Sequence, residues 1–384
     1  MSERRYLGLT WDHPRGFSAL SAASRDFNLE SQGASLEWVK QPLSGFEEHS
    51  IAELAEKFDL LILDHPHVGD AVQTDVLVPL EELFSREELA AWEGAFIGGS
   101  FASYRYRAQQ WALPIDAAAQ VLAHRRDMIE GADFTWERIL DLATRMPIAL
   151  VIAGPHALLA FCSVCVALGE PPASRNPNEF ISSDIGRSAL EILARLVHAT
   201  PQFARGFDPI AALECLSKTD QLAMCPLIFG YVNYAAPKHQ TLRPISFCNA
   251  PTMQGIRRHG STLGGTGLAI TRRCRPDQAL RDHIRWLVSA DAQSRYIPAH
   301  EGQPSLRDAW QQAHLNVQRG GFYSDTTATL EHAWIRPRHA GYVAFQSAGS
   351  RLIRDGILEA RRPEQLLHDL QGVYTTHRAL GAEL

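Results

Sequence analysis

Short apolar runs alternate with helix-period stretches along the first third of the chain. The pattern predicts strands at 6–11, 35–39 and 59–64 and helices at about 17–28 and 51–57. Strand, helix, strand in repetition is the opening of a doubly wound α/β fold, and in the common strand order 2-1-3 the first and third strands are neighbours. Both of those strands end alike. Tyr6-Leu7-Gly8-Leu9-Thr10-Trp11 runs into Asp12-His13-Pro14, and Phe58-Asp59-Leu60-Leu61-Ile62-Leu63 runs into Asp64-His65-Pro66-His67. Ligands of open α/β sheets bind beyond the carboxyl ends of such strands, so the repeat marks a candidate site.

Further along, Tyr104-Arg105-Tyr106-Arg107, a turn at Ala108 to Gln110, and Trp111 to Asp116 alternate like a hairpin of extended segments from which a crossing between domains could start. Helical patterns follow at 135–145, 157–168 and 186–198, then an apolar and aromatic run from Leu222 to Ala235. Residues 117–262 therefore read as a second α/β domain.

Composition narrows the classes. A chain of 384 residues with 45% hydrophobic and 21% charged residues has room for two globular domains with separate cores. Its net charge is -6 and its arginines look scattered along the sequence, which excludes nucleic acid and anionic membrane surfaces as expected partners. The longest apolar segment, 157–168, suits a buried helix and not a membrane span. Glu3, Arg4, Arg5, Asp12, Arg15, Arg25 and Asp26 break up the first thirty residues, so no signal-peptide core is read there. The expected location is the cytoplasm, with the periplasm as the alternative if a signal was removed. Six dispersed cysteines fit reduced thiols in apolar runs, and Cys162-x-x-Cys165 lies inside one such run without the second pair a zinc site needs.

Near residue 263 the chain carries Leu263-Gly264-Gly265-Thr266-Gly267-Leu268-Ala269-Ile270-Thr271, then a helix ending near Ser289, then Gly302-Gln303-Pro304-Ser305. With Leu113-Pro114-Ile115-Asp116, Thr135-Trp136, Leu77-Val78-Pro79-Leu80 and Arg336-Pro337-Arg338 followed by Tyr342, this series resembles the family 1 extracellular solute-binding proteins of ABC transporters. The resemblance implies an α/β, two-lobed, periplasmic-binding-protein-like fold of type II with an interdomain ligand cleft. It implies discontinuous lobes, 1–112 with 266–310 and 117–262 with 315–384, that take a small polar molecule such as a sugar, polyol or organic acid. An ABC permease is the implied partner only for an exported chain; exported members begin with a signal peptide or lipoprotein cysteine, and neither is read here.

Asp12, His13, Asp64, His65 and His67 are the first candidate ligand-binding residues, because carboxylates and imidazoles together suit polar-ligand binding or proton transfer. The competing reading is that they cap turns that proline stiffens. Asp116 follows Leu-Pro where the resemblance places the first crossing, as a ligand carboxylate or a hinge residue. Trp11, Phe161, Phe229, Tyr231 and Tyr234 are candidate stacking rings, or core, and Gly265 and Thr266 could line the cleft. No metal-ligand spacing, phosphate loop or nucleophile elbow is present, so no metal and no cofactor are expected. Two functions remain: a binding protein, or a cytoplasmic lyase, dehydratase or isomerase using His13, His65, Asp12 and Asp64 as acids and bases.

Overall fold

The computed structural model describes residues 4–31, 33–42, 50–236 and 243–380. The chain divides into two compact units, Met1–Ala117 with Gly264–Leu315 and Arg336–Ala340, and Ala118–Leu263 with Asn316–Ile335 and Gly341–Leu384. Nine strands occur among the described residues: β1 (Arg4–Trp11), β2 (Ala34–Gln41), β3 (Leu60–Leu63), β4 (Arg105–Tyr106), β5 (Gln109–Gln110), β6 (Leu113–His124), β7 (Met224–Phe229), β8 (Ser246–Cys248) and β9 (Leu263–Ile270).

In the first unit β1 lies between β2 and β3, parallel to both, and β3 pairs antiparallel with β9. The order 2-1-3 follows from the apolar runs. Leu60 and Ile62 enter one core with Tyr6, Leu20, Phe27, Leu268 and Ile284, while Leu61 and Leu63 enter another with Leu9, Leu54, Val68 and Tyr104. Alternation of side chains across a strand thus feeds two layers, and every β3 residue is buried. The helix Pro14–Glu30 starts where Pro14 fits its first turn and where His13 Nδ1 accepts the Arg15 N–H at 3.1 Å. The helix Ile51–Lys57 has the predicted bounds, with the Ser50 hydroxyl accepting the Glu53 N–H at 3.2 Å.

In the second unit β6 pairs antiparallel with β7 and with β8. The helix His156–Ala167 is buried from Ala157 onward, as a helix apolar on nearly every side must be, with its Ser163 hydroxyl donating to Gln120 Oε1 at 2.6 Å. It shares a core with Leu190, Leu193 and Val197 of helix Ser183–Ala199 and with Phe345, Ile353, Leu370 and Tyr374 of the C-terminal helices.

Three expectations change. The hairpin is shorter than read: β4 pairs with β5 around Arg107 and Ala108, and Leu113–His124 is one strand buried along all twelve residues. Cover on both faces removes the alternation that would have marked its full length. Arg336–Ala340, assigned by the resemblance to the second lobe, packs in the first unit. The arginines are less scattered than read: Arg4 joins Arg272, Arg275 and Arg281, close together after β9, around one pocket of the first unit.

Arg107 and Ala108 have φ of 49° and 62°, the left-handed pair that a two-residue hairpin turn demands and that Asn-Gly adopts with least strain. Replacing them together by Arg107→Asn and Ala108→Gly should raise stability by about 1 kcal/mol. Urea denaturation checks this, and a lower midpoint would refute the strain.

Candidate functional site

Parallel pairing of β1 with β3 brings the two Asp-His-Pro turns out at the same edge of the first unit's sheet. The second turn is the more firmly fixed. Asp64 Oδ1 accepts the His65 N–H at 2.8 Å, capping the short turn His65–His67, and Asp64 Oδ2 accepts from Arg336 Nη2 at 2.5 Å. Tyr104 donates its hydroxyl to the Leu63 carbonyl at 3.1 Å and meets the His65 ring edge-on at 6.2 Å. A Cβ on Gly69 would collide with the Arg338 carbonyl, so glycine is what lets Arg336–Ala340 lie against this turn.

These contacts set the charges. Burial would raise the Asp64 pKa, but Arg336 and His65 outweigh it and hold the carboxyl well below the usual range. His65 is fully buried, and burial, reinforced by Arg336 and Arg338 against the opposing pull of Asp64, lowers its pKa to about 4. Its Nδ1 is 3.1 Å from Asp64 Oδ1 without the alignment of a hydrogen bond. Burial also lowers the half-buried His67, and it raises the Tyr104 phenol well above its ordinary value, helped by Asp64 and Asp116. At neutral pH the turn therefore presents one carboxylate, paired to a guanidinium, beside neutral rings.

A second carboxylate is held from the first turn. Arg15 Nε donates to Asp116 Oδ2 at 2.6 Å and Arg15 Nη2 donates to Oδ1, a two-pronged pair whose side chains are 5% and 4% exposed. Burial raises the Asp116 pKa, with Asp64 adding to the rise, and Arg15 opposes it. Beside the pair is a cavity of about 10 Å³ lined by Trp11, Arg15, Asp116, Thr266 and Gln303, into which Thr266 brings a buried hydroxyl. Such a space is the size of one water.

The other candidates divide. Asp12 is exposed, its Oδ1 2.6 Å from Lys40 Nζ, and His13 is buried as a helix cap. Trp11 is a core residue whose indole covers Gly16, and Phe161 is wholly buried, so neither is an open platform. In the second unit Phe229 is half-buried and meets the His156 ring at 6.0 Å, while Tyr231 and Tyr234 are buried and Tyr234 donates to Glu214 Oε1 at 2.7 Å. The space a Gly230 side chain would take is filled by the Phe322 ring, not open to a ligand. Gly265, at φ 91°, and Thr266 lie on β9. Cys162 and Cys165 are buried, and burial raises the Cys165 thiol well above its ordinary value.

Sequence reading missed Arg15 and Arg336 as the partners that orient the carboxylates, and Tyr104 as the ring that braces the second turn through the Leu63 carbonyl. Among the described residues no group of three or more His, Cys, Asp or Glu is placed to hold a metal ion, and no helix is long and apolar enough to cross a membrane.

No family model matches the chain and no curated protein does. Solved structures do. Maltose-bound MalE3 of T. maritima is similar at a TM-score of 0.82 and 17% identity, over 97% of this chain and 99% of that one. An ABC transporter solute-binding protein of Agrobacterium radiobacter K84 in complex with ribitol aligns at 0.81 and 19% over 98% and 99%. One of Agrobacterium vitis S4 with bound D-mannitol aligns at 0.78 and 14% over 98% and 99%. At these identities the likeness establishes the two-lobed periplasmic-binding-protein fold.

Two outcomes follow from the buried charges. Asp116→Ala leaves Arg15 charged and buried, so stability should fall by about 3–5 kcal/mol in urea titration; a change under 1 kcal/mol would mean the pair is solvated. His65 is harder to protonate folded than unfolded, so stability present above pH 6.5 should be lost as pH falls from 6.5 towards 4. His124 and His283, also lowered to about 4 by burial, act in the same direction. Melting temperatures should drop over that window, less steeply in His65→Gln; equal slopes would show that His65 titrates normally.

Proposed function

We propose that this protein is a solute-binding protein that takes a small polar molecule of the sugar or polyol class at the carboxyl-end rim of β1 and β3. The observation that carries the reading is the Asp64 carboxylate, held there by the Arg336 guanidinium. A carboxylate fixed by arginine keeps lone pairs for solute hydroxyls, and the Asp64 side chain is 34% exposed. The solutes named for the similar structures, ribitol, D-mannitol and maltose, support the same class. The acid–base alternative loses support, because His13 Nδ1 is occupied by the Arg15 amide and His65 is sealed and neutral. Delivery to an ABC permease is the further part of the proposal for an exported chain, and recovery of the protein with periplasmic markers would support it.

Calorimetry and thermal shift against a panel of pentitols, hexitols and oligosaccharides test the reading. At least one compound should raise the melting temperature by several degrees. Asp64→Asn should weaken its binding by about tenfold, the loss expected for a hydrogen bond to a charged group. Silence across the panel would overturn the proposal.

A further inference from the structure

We infer that the first unit carries a second binding site, at the other end of its sheet, for a multiply charged oxyanion of the phosphate class. β1 begins at Arg4 and the two Asp-His-Pro turns lie at its far end; β9 runs antiparallel to β3, so the segment Arg272–Pro276 that follows it returns to the beginning of the sheet. There a pocket of about 440 Å³ is lined by Arg4, Arg272, Arg275 and Arg281, with Val78, Leu83 and Pro276 among its apolar walls. One carboxylate, Glu82, lines it against four guanidinium groups.

Neighbours neutralise only part of that charge. Arg272 donates from Nε to Asp75 at 2.8 Å, with Nη1 3.8 Å from Glu82. Arg275 donates from Nη1 to the carbonyls of Arg272 at 2.6 Å and Cys274 at 3.1 Å, bonds that place the guanidinium without cancelling it. The Arg281 Nε is buried and has no hydrogen-bond partner. Tyr6 locks the segment, donating to the Arg275 carbonyl at 3.2 Å and accepting the Asp277 N–H at 3.0 Å. The result is a set of planar forks, one from the start of β1 and three from the stretch after β9, beside an apolar wall that strengthens their pull on an anion. A single carboxylate has too few oxygens to engage several forks, whereas a diphosphate presents oxygens in several directions. The site is independent of the solute reading.

The test is a phosphorus NMR or calorimetric titration of pyrophosphate into the full chain at low salt, with folding of each variant followed by circular dichroism. Binding should saturate, weaken as salt is added, and fall by about tenfold in Arg281→Ala. The exposed position Arg4→Ala gives a second loss that does not depend on a half-buried side chain, and Glu82→Gln should tighten binding a few-fold by removing the opposing charge. No binding, or the same affinity in all three variants, would overturn the site. Phosphatidylglycerol vesicles separate the sources of the anion: capture by vesicles that pyrophosphate does not reverse would overturn a free oxyanion as the ligand.

Discussion

The Asp64–Arg336 ion pair is the interaction on which the first unit's site depends. The two residues are 272 positions apart, and Arg336 is 2% exposed, so its charge needs the Asp64 carboxylate as partner out of water. The pair holds Arg336–Ala340 against the turn after β3, in a space that Gly69 leaves open. The same guanidinium helps keep His65 neutral. One contact thus sets a backbone path and the protonation of two side chains.

Much of this unit was legible in the sequence because short-range physics wrote it. Apolar runs bounded by Asp-His-Pro gave β1 and β3, and the alternation of strand and helix signals gave the helix Ile51–Lys57. What was not legible has long-range causes. Arg15 meets Asp116 across 101 positions, and no local pattern announces that partnership. Trp11 and Phe161 were open from sequence to either platform or core, and packing places both in the core, Trp11 against Gly16. Arg107-Ala108 contains neither Asn nor Gly, so the turn was read one residue late, at Ala108 to Gln110. Arg272, Arg275 and Arg281 follow one another closely after β9, and the fold adds Arg4 from the start of β1 to the same pocket.

The arrangement of charges also explains why two imidazoles and two carboxylates read from sequence as acid–base machinery take another form. Asp64 is clamped by Arg336, Asp12 is exposed beside Lys40, His13 is a helix cap and His65 is enclosed. Clamped groups make good fixed acceptors, because their orientation is settled before a solute arrives. Asp64 makes a poor proton carrier, since Arg336 and His65 hold its carboxyl well below the usual range.

The pairing of β3 with β9 has a consequence for how the chain is made. Leu63 finds its partner Gly267 only after about two hundred further residues, while β3 itself is Leu-Leu-Ile-Leu. During synthesis from the amino end, β1 and β2 can pair early, yet β3 must wait with one backbone edge bare and four apolar side chains partly uncovered. The shortness of β3, four residues, limits the length of that bare edge. A nascent chain halted before residue 264 would carry an unfinished sheet of this unit, and that stalled species, more than the completed protein, is the one in need of a chaperone.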